Sequence, residues 1–312
     1  MNTVSQQIAL HAEASPRRHL ADLGVLLKPR VTSLIVMSAW CGFYFAAHKS
    51  GLRAVDSLHL LAFALIGVGL VAGGTAALNQ VLERDSDAHM QRTAVRPLPA
   101  HRLQTREALL FGLTGLFAGL LLLTLKTNLL TAALSLGTSI SYLALYTPLK
   151  KISPWCTFVG AFPGAMPPVL GWASLRGRLE LETLVLFAIL FLWQFPHFFS
   201  IAWLYSEDYE SAGIRMLPVV EKDGRSTVRQ SVIYGALLLP ISILPFLLHM
   251  AGSAYLLGAV ALGAAYLFFA TRLGAGAQPP AAPQSKKSAR ELLRASVIYL
   301  PLLFLLMMLN AV

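Results

Sequence analysis

Nine apolar runs, each about as long as a helix must be to cross a hydrocarbon core, divide this 312-residue chain. They lie near 31–48, 57–82, 107–125, 128–146, 155–175, 183–204, 231–249, 252–271 and 295–311. In lipid every backbone N–H and C=O needs a partner inside the protein, which leaves only helices and closed barrels. Runs this long and this continuously apolar exclude the short alternating strands of a barrel. The expected fold is all-α: a polytopic membrane protein, a bundle of nine transmembrane helices around a central cavity. Residues 1–312 are read as one integral-membrane domain, with 1–26 a cytoplasmic N-terminal segment. Residues 274–288, opening on a Gly, Ala and Pro-rich stretch, are read as a flexible cytoplasmic linker before the last helix. Met1 to Leu20 has no apolar core of the kind a cleaved signal needs.

Composition agrees: 56% hydrophobic and 13% charged, where soluble domains carry about 25% charged residues. The formal charge of +10 could suggest nucleic acid, but its placement points elsewhere. With a cytoplasmic N-terminus, the inside loops hold 20 of the 25 Lys and Arg residues and the outside loops 5. That asymmetry is the positive-inside signal, so the charge reports topology. The expected location is the inner (plasma) membrane of a bacterium, with a periplasmic C-terminus and no nucleic-acid partner. Cys41 and Cys156 both fall within apolar runs and read as small core residues.

The second run ends in Asn79, Glu83 and Asp87. A step of four residues turns a helix by about 400°, so each lies only about 40° round from the last. One face thus carries an amide and two carboxylates where an apolar segment meets water. Asp85 falls about 240° round from Asn79 and faces elsewhere. Taken singly, each acid could be a solvated helix end; three on one face, with Asn79 still inside the apolar run, point to function. Carboxylates suit Mg²⁺, which bridges readily to phosphate oxygens. Arg92 and Arg96, in the Pro-braced loop that follows, add direct phosphate donors.

Five further stretches face the same side or interrupt the helices. Lys28-Pro29-Arg30 opens the first run, and Tyr146-Thr-Pro-Leu-Lys150 closes the fourth, offering basic groups and an aromatic ring. Pro163, Pro167 and Pro168 break the fifth run, as happens beside a cavity. The sixth holds His197 beside Gln194 and Pro196, and an imidazole there could be an iron ligand or a proton shuttle. After it, Glu207, Asp208 and Tyr209 supply a second acidic cluster on the side of the first.

Together these phrases, in order over residues 27–218, resemble the intramembrane UbiA-type prenyltransferase superfamily and, within it, its haem-farnesylating branch. The first acidic motif departs from the superfamily's usual pattern by placing Glu83 where an Asp is common. In the second, Glu207 and Asp208 are adjacent where a pair four apart is usual. The resemblance implies transfer of a farnesyl group from farnesyl diphosphate to the vinyl group of haem B. It implies Mg²⁺ as cofactor, held by Asn79, Glu83, Asp87 and Asp208, with Lys150 completing the catalytic set. Substrate contacts are expected from Lys28, Arg30, Arg92, Arg96, Tyr146, His197 and Tyr209, with His197 a haem contact. Implied partners are farnesyl diphosphate, haem B, the lipid bilayer, and a haem A synthase or oxidase assembly protein.

Two other readings stay open from the residues themselves. A prenyltransferase acting on an aromatic or quinone-precursor acceptor would carry the same acidic motif. A secondary transporter would also show broken helices and buried polar groups, but near the bilayer centre rather than at one face.

Overall fold

The computed structural model describes residues 16–274 and 282–312. Residues 1–15 of the expected N-terminal segment and 275–281 of the expected linker lie outside the described residues. The helices are α1 (Pro16–Leu26), α2 (Pro29–Lys49), α3 (Leu58–Asp87), α4 (Thr105–Lys126), α5 (Leu129–Leu149), α6 (Cys156–Ala165) and α7 (Pro167–Arg176). They continue as α8 (Leu181–Leu204), α9 (Ser206–Ser211), α10 (Leu217–Val220), α11 (Arg225–Leu247), α12 (Ser253–Arg272) and α13 (Pro283–Leu309). Among the described residues there is no strand, only one bridge pair, Ala251 with Ala311.

Eight of these helices are long and apolar enough to cross a membrane: α2, α3, α4, α5, α8, α11, α12 and α13. The fifth expected span, 155–175, is divided into two ten-residue helices, α6 and α7. Pro167 and Pro168 have no N–H to continue the ladder. The Met166 N–H turns back to the Pro163 carbonyl at 3.4 Å, and Leu170 N–H resumes the helical pattern on Met166 at 3.0 Å. The run bends there. A second correction concerns the linker: α13 begins at Pro283, so residues 283–288 are helical. Proline suits a first helical position, and Ser285 anchors the new turns by accepting a hydrogen bond from the Trp203 indole.

Packing relies on small residues where backbones approach. Helix α7 lies so close to α2 that a Cβ on Gly171 would sit 1.8 Å from the Ala39 carbonyl oxygen. The largest apolar core joins α8, α11, α12 and α13 around Trp203, Tyr255, Tyr266 and Tyr299, all essentially unexposed. Their polar tips are satisfied inside the bundle: Tyr299 and Ser242 hydroxyls lie 2.7 Å apart, and Tyr266 donates to the Trp193 carbonyl at 3.0 Å.

Two features of this scaffold position polar chemistry. Helix α3 runs for 30 residues, or about 45 Å, so its last turns extend past the thickness of a hydrocarbon core. Those turns carry Asn79, Glu83 and Asp87. At the opposite end of α2, Lys49, Arg176, Arg178, Glu180 and Glu182 gather into a compact ionic cluster.

Candidate active site

The three residues at the end of α3 face one way and are all screened from solvent. Asn79 is fully buried, and the side chains of Glu83 and Asp87 are 12% and 2% exposed. Each is met by a different base from a different part of the chain. The Lys28 ammonium donates to Asn79 Oδ1 at 2.8 Å, Lys150 to Glu83 Oε1 at 2.7 Å, and Arg96 to Asp87 Oδ2 at 2.6 Å. Asn79 Nδ2 in turn donates to Thr147 Oγ1 at 3.1 Å. Asp85 is on the exposed side, paired with its neighbour Arg84.

Local structure explains how these bases arrive. Lys28 sits between α1 and α2 with φ of 46°, a left-handed conformation uncommon for a non-glycine residue. Strain of this kind, about 1–3 kcal/mol, persists where the surroundings hold it. Here Gln80 Nε2 donates to the Leu26 carbonyl at 2.8 Å, and Asp22 accepts from Arg102, so α1 is fixed to α3 and to the loop beyond it. Burial, reinforced by Arg96, pulls the Lys28 pKa down to about 8.

Lys150 follows α5, whose segment Ser141–Tyr146 is wound as a π-helix. Such wider turns occur often at functional sites. Here the turn sets the Tyr142 hydroxyl 3.5 Å from Asn79 Oδ1 and lays the Tyr146 ring under the Lys150 ammonium, 4.4 Å from its centroid. Burial works against the Lys150 charge, yet Tyr146 and the Glu83 carboxylate outweigh it and hold its pKa well above the ordinary lysine value. Arg96 is carried by the loop after α3, which Thr93 pins by donating to the Asp87 carbonyl at 2.8 Å.

The second acidic cluster is divided. Glu207 turns outward to Lys286 of α13, at 3.1 Å. Asp208 is half-buried on α9. Its neighbour Tyr209 accepts a hydrogen bond from Arg92 Nη2 at 3.4 Å. Among the described residues, no three His, Cys, Asp or Glu side chains converge as a metal-binding group. The structure therefore sets Asn79, Glu83 and Asp87 on one face, with no hydrogen bond or ion pair between them and Asp208. The donor set of α3 fits a hard divalent cation: two carboxylates and an amide on one helical face, with oxygen ligands only. Each base engages one oxygen of its partner.

Two expected contacts make no hydrogen bond or ion pair with the α3 triplet. Arg30 is exposed on the first turn of α2. His197 belongs to the packing of α8 on α13: its Nδ1 lies 2.7 Å from Ser296 Oγ, and its ring stacks on Trp193 at 4.7 Å. Tyr142 and Thr147 also contribute to the site; Thr147 lies inside the Tyr146–Lys150 stretch, whereas no motif singles out Tyr142. A usable signal exists for the latter, because Tyr142, Tyr146 and Lys150 repeat at the same four-residue spacing as the acidic triplet they face. Beside Lys28, two apolar grooves of about 510 and 280 Å³ share Leu27 and Thr32 as walls and run along α2, α3 and α4.

The profile of the UbiA prenyltransferase family matches residues 34–309 of the chain. The chain is 55% identical over 314 residues to the protoheme IX farnesyltransferase of Koribacter versatilis (strain Ellin345), covering 99% of each protein. It is 51% identical over 296 residues to the protein of that name from Solibacter usitatus (strain Ellin6076), covering 93% of this chain and 99% of the relative. Among solved structures, digeranylgeranylglyceryl phosphate synthase superposes with a TM-score of 0.73 at 17% identity, over 93% of this chain and 98% of that one. A UbiA homolog from Archaeoglobus fulgidus, bound to GPP and Mg²⁺, superposes with a TM-score of 0.63 at 18% identity, over 92% and 99%. At such identities these superpositions establish the shared fold.

Proposed function

The chain belongs to the UbiA prenyltransferase family, and from that premise we propose that it farnesylates protohaem IX. Farnesyl diphosphate, haem B and water would give haem O and diphosphate, in the service of terminal-oxidase haem synthesis. The observation that carries the chemistry is the set of three α3 side chains screened from solvent, each held by a separate base. Full-length similarity to the two bacterial relatives supports haem as the acceptor over an aromatic or quinone precursor.

Asn79, Glu83 and Asp87 would hold the divalent cation, which we take to be Mg²⁺, with Asp208 as a further ligand. Bound there, the cation would neutralise diphosphate oxygens and weaken the farnesyl C1–O bond. With a cation held by Asn79, Glu83 and Asp87, the bases Lys28, Arg96 and Lys150 would be free to meet the diphosphate, joined by Arg92 from the neighbouring loop. Three cations facing two carboxylates leave the site attractive to an anion. When the C1–O bond breaks, the electron pair leaves with diphosphate, where these bases stabilise it. The vinyl carbon then bonds to C1 of the allylic cation. Water adds to the porphyrin-side carbon and loses a proton, leaving a hydroxyl. Leu27, Thr32, Val36 and Trp40 line an open apolar groove that would take the isoprenoid tail. His197, its Nδ1 engaged by Ser296, would make the haem contact through its other ring nitrogen, with α13 fixing the orientation of the ring. The basic ends of the helices would lie on the cytoplasmic side of a bacterial inner membrane.

Incubation of the purified protein with farnesyl diphosphate, Mg²⁺ and either haem B or 4-hydroxybenzoate tests the reading. Mass spectrometry should show farnesylated haem and no farnesylated benzoate; the reverse would transfer the assignment to the aromatic-acceptor branch.

A further inference from the structure

The loop after α8 touches the site through its tyrosines more than through its acids. The Arg92 guanidinium lies over the Tyr205 ring at 5.0 Å and over the Tyr209 ring at 5.7 Å, and its Nη2 donates to the Tyr209 hydroxyl at 3.4 Å. Arg92 shares its loop with Arg96, which binds Asp87, and its backbone neighbour Thr93 is tied to the Asp87 carbonyl. Two further bonds draw the same segments together. Ser211 Oγ donates to the His89 carbonyl at 2.9 Å, and the Arg215 N–H donates to the Lys150 carbonyl at 2.7 Å. Residues 205–215 therefore form a strap that joins the loop carrying Arg92 to the turn carrying Lys150.

An exposed arginine on a loop has many rotamers, and ordering it on a ligand costs entropy each time. Two aromatic faces remove that freedom beforehand. The π-face leaves the guanidinium charged and its remaining N–H groups available, whereas a carboxylate partner would compete with phosphate for them. Glu207, the acid nearest in sequence to Tyr205, is drawn off by Lys286.

We propose that Tyr205 and Tyr209 are positioning residues that hold Arg92 ready for the diphosphate, so that the strap serves anion recognition through its rings. This rests on the diphosphate reading above, but its test does not need the haem acceptor. Titration of inorganic diphosphate with Mg²⁺ into the purified full-length chain, followed by calorimetry, reads the affinity directly. Arg92→Gln should weaken binding about ten-fold. Tyr205→Leu should weaken it about three- to five-fold, and Tyr205→Phe, which keeps the ring, should recover most of that loss. Tyr209→Phe should cost less than Tyr205→Leu. In the Arg92→Gln background, Tyr205→Leu should add nothing, because the group it positions is gone. The proposal is overturned if Tyr205→Leu binds like the unaltered protein, if Tyr205→Phe loses as much as Tyr205→Leu, or if the two losses simply add. An unaltered protein that binds no diphosphate would overturn both this inference and the reading beneath it. One that binds diphosphate but does not farnesylate haem would overturn only the acceptor assignment.

Discussion

The two ends of α2 each carry a charge cluster, and the clusters are wired differently. At the far end one carboxylate is saturated. Glu180 accepts two N–H bonds from Arg176 at 3.0 Å each, one from Arg178 at 3.1 Å and one from the Trp172 indole at 3.2 Å. Lys49 adds charge 3.7 Å away, and Arg176 reaches on to Ser50. Every acceptor position is taken, and the ends of α2, α7 and α8 are clasped together. At the site end the same residue types are paired one to one across three separate connections. A saturated cluster holds structure; a singly paired one keeps the capacity to exchange partners for a ligand.

If that contrast is right, replacing acids at the two ends should damage different properties. The largest effect is expected from Asp87→Asn or Glu83→Gln, which should reduce farnesyl transfer by about a thousand-fold while lowering the melting temperature less than the loss of the four-bonded Glu180 carboxylate does. A comparable fall in melting temperature would make the site end structural too. Glu180→Gln should do the opposite. Removing the carboxylate leaves its basic partners poorly paired at a cost of about 3 kcal/mol, visible as a lower melting temperature, with the KM for farnesyl diphosphate unchanged. Next in size, Lys28→Met should raise that KM about ten-fold through one lost charge-assisted contact to phosphate, with the KM for haem unaffected.

The smallest effect concerns acid. The Arg176 hydrogen bonds and the surrounding bases hold the Glu180 pKa at about 2, below the ordinary 4.5. The unfolded chain therefore binds this proton first as pH falls. The stabilisation is complete above about pH 4.5 and is lost progressively down to about pH 2. The gap in melting temperature between the native protein and Glu180→Gln should be constant above about pH 5 and narrow toward pH 3. A gap that widened in acid would reverse the sign of the argument.

Much of the fold is legible in the order of residues, because helical periodicity acts over four residues and lipid over twenty. The apolar runs locate the helices, and four-residue spacing alone puts Asn79, Glu83 and Asp87 on one face. What escapes such rules is contact across the chain. No local pattern pairs Lys28 with Asn79, 51 residues on, or Lys150 with Glu83, 67 residues back. Tyr142 lies in a π-helical turn of α5, and hydropathy does not report such a turn. The polar and basic stretch 283–294 carries no apolar signal, so its helix is evident only from its packing on Trp203. Glu207 and Asp208 are adjacent in sequence, yet Lys286 separates their roles from a distant helix.

The central claim is that the α3 acids grip a divalent cation and, through it, the departing diphosphate. Formation of farnesylated haem by the purified protein, measured with Mg²⁺ and again after chelation, tests it most directly. The account predicts turnover that collapses with chelator and returns when Mg²⁺ is restored. Equal rates in both conditions would contradict it.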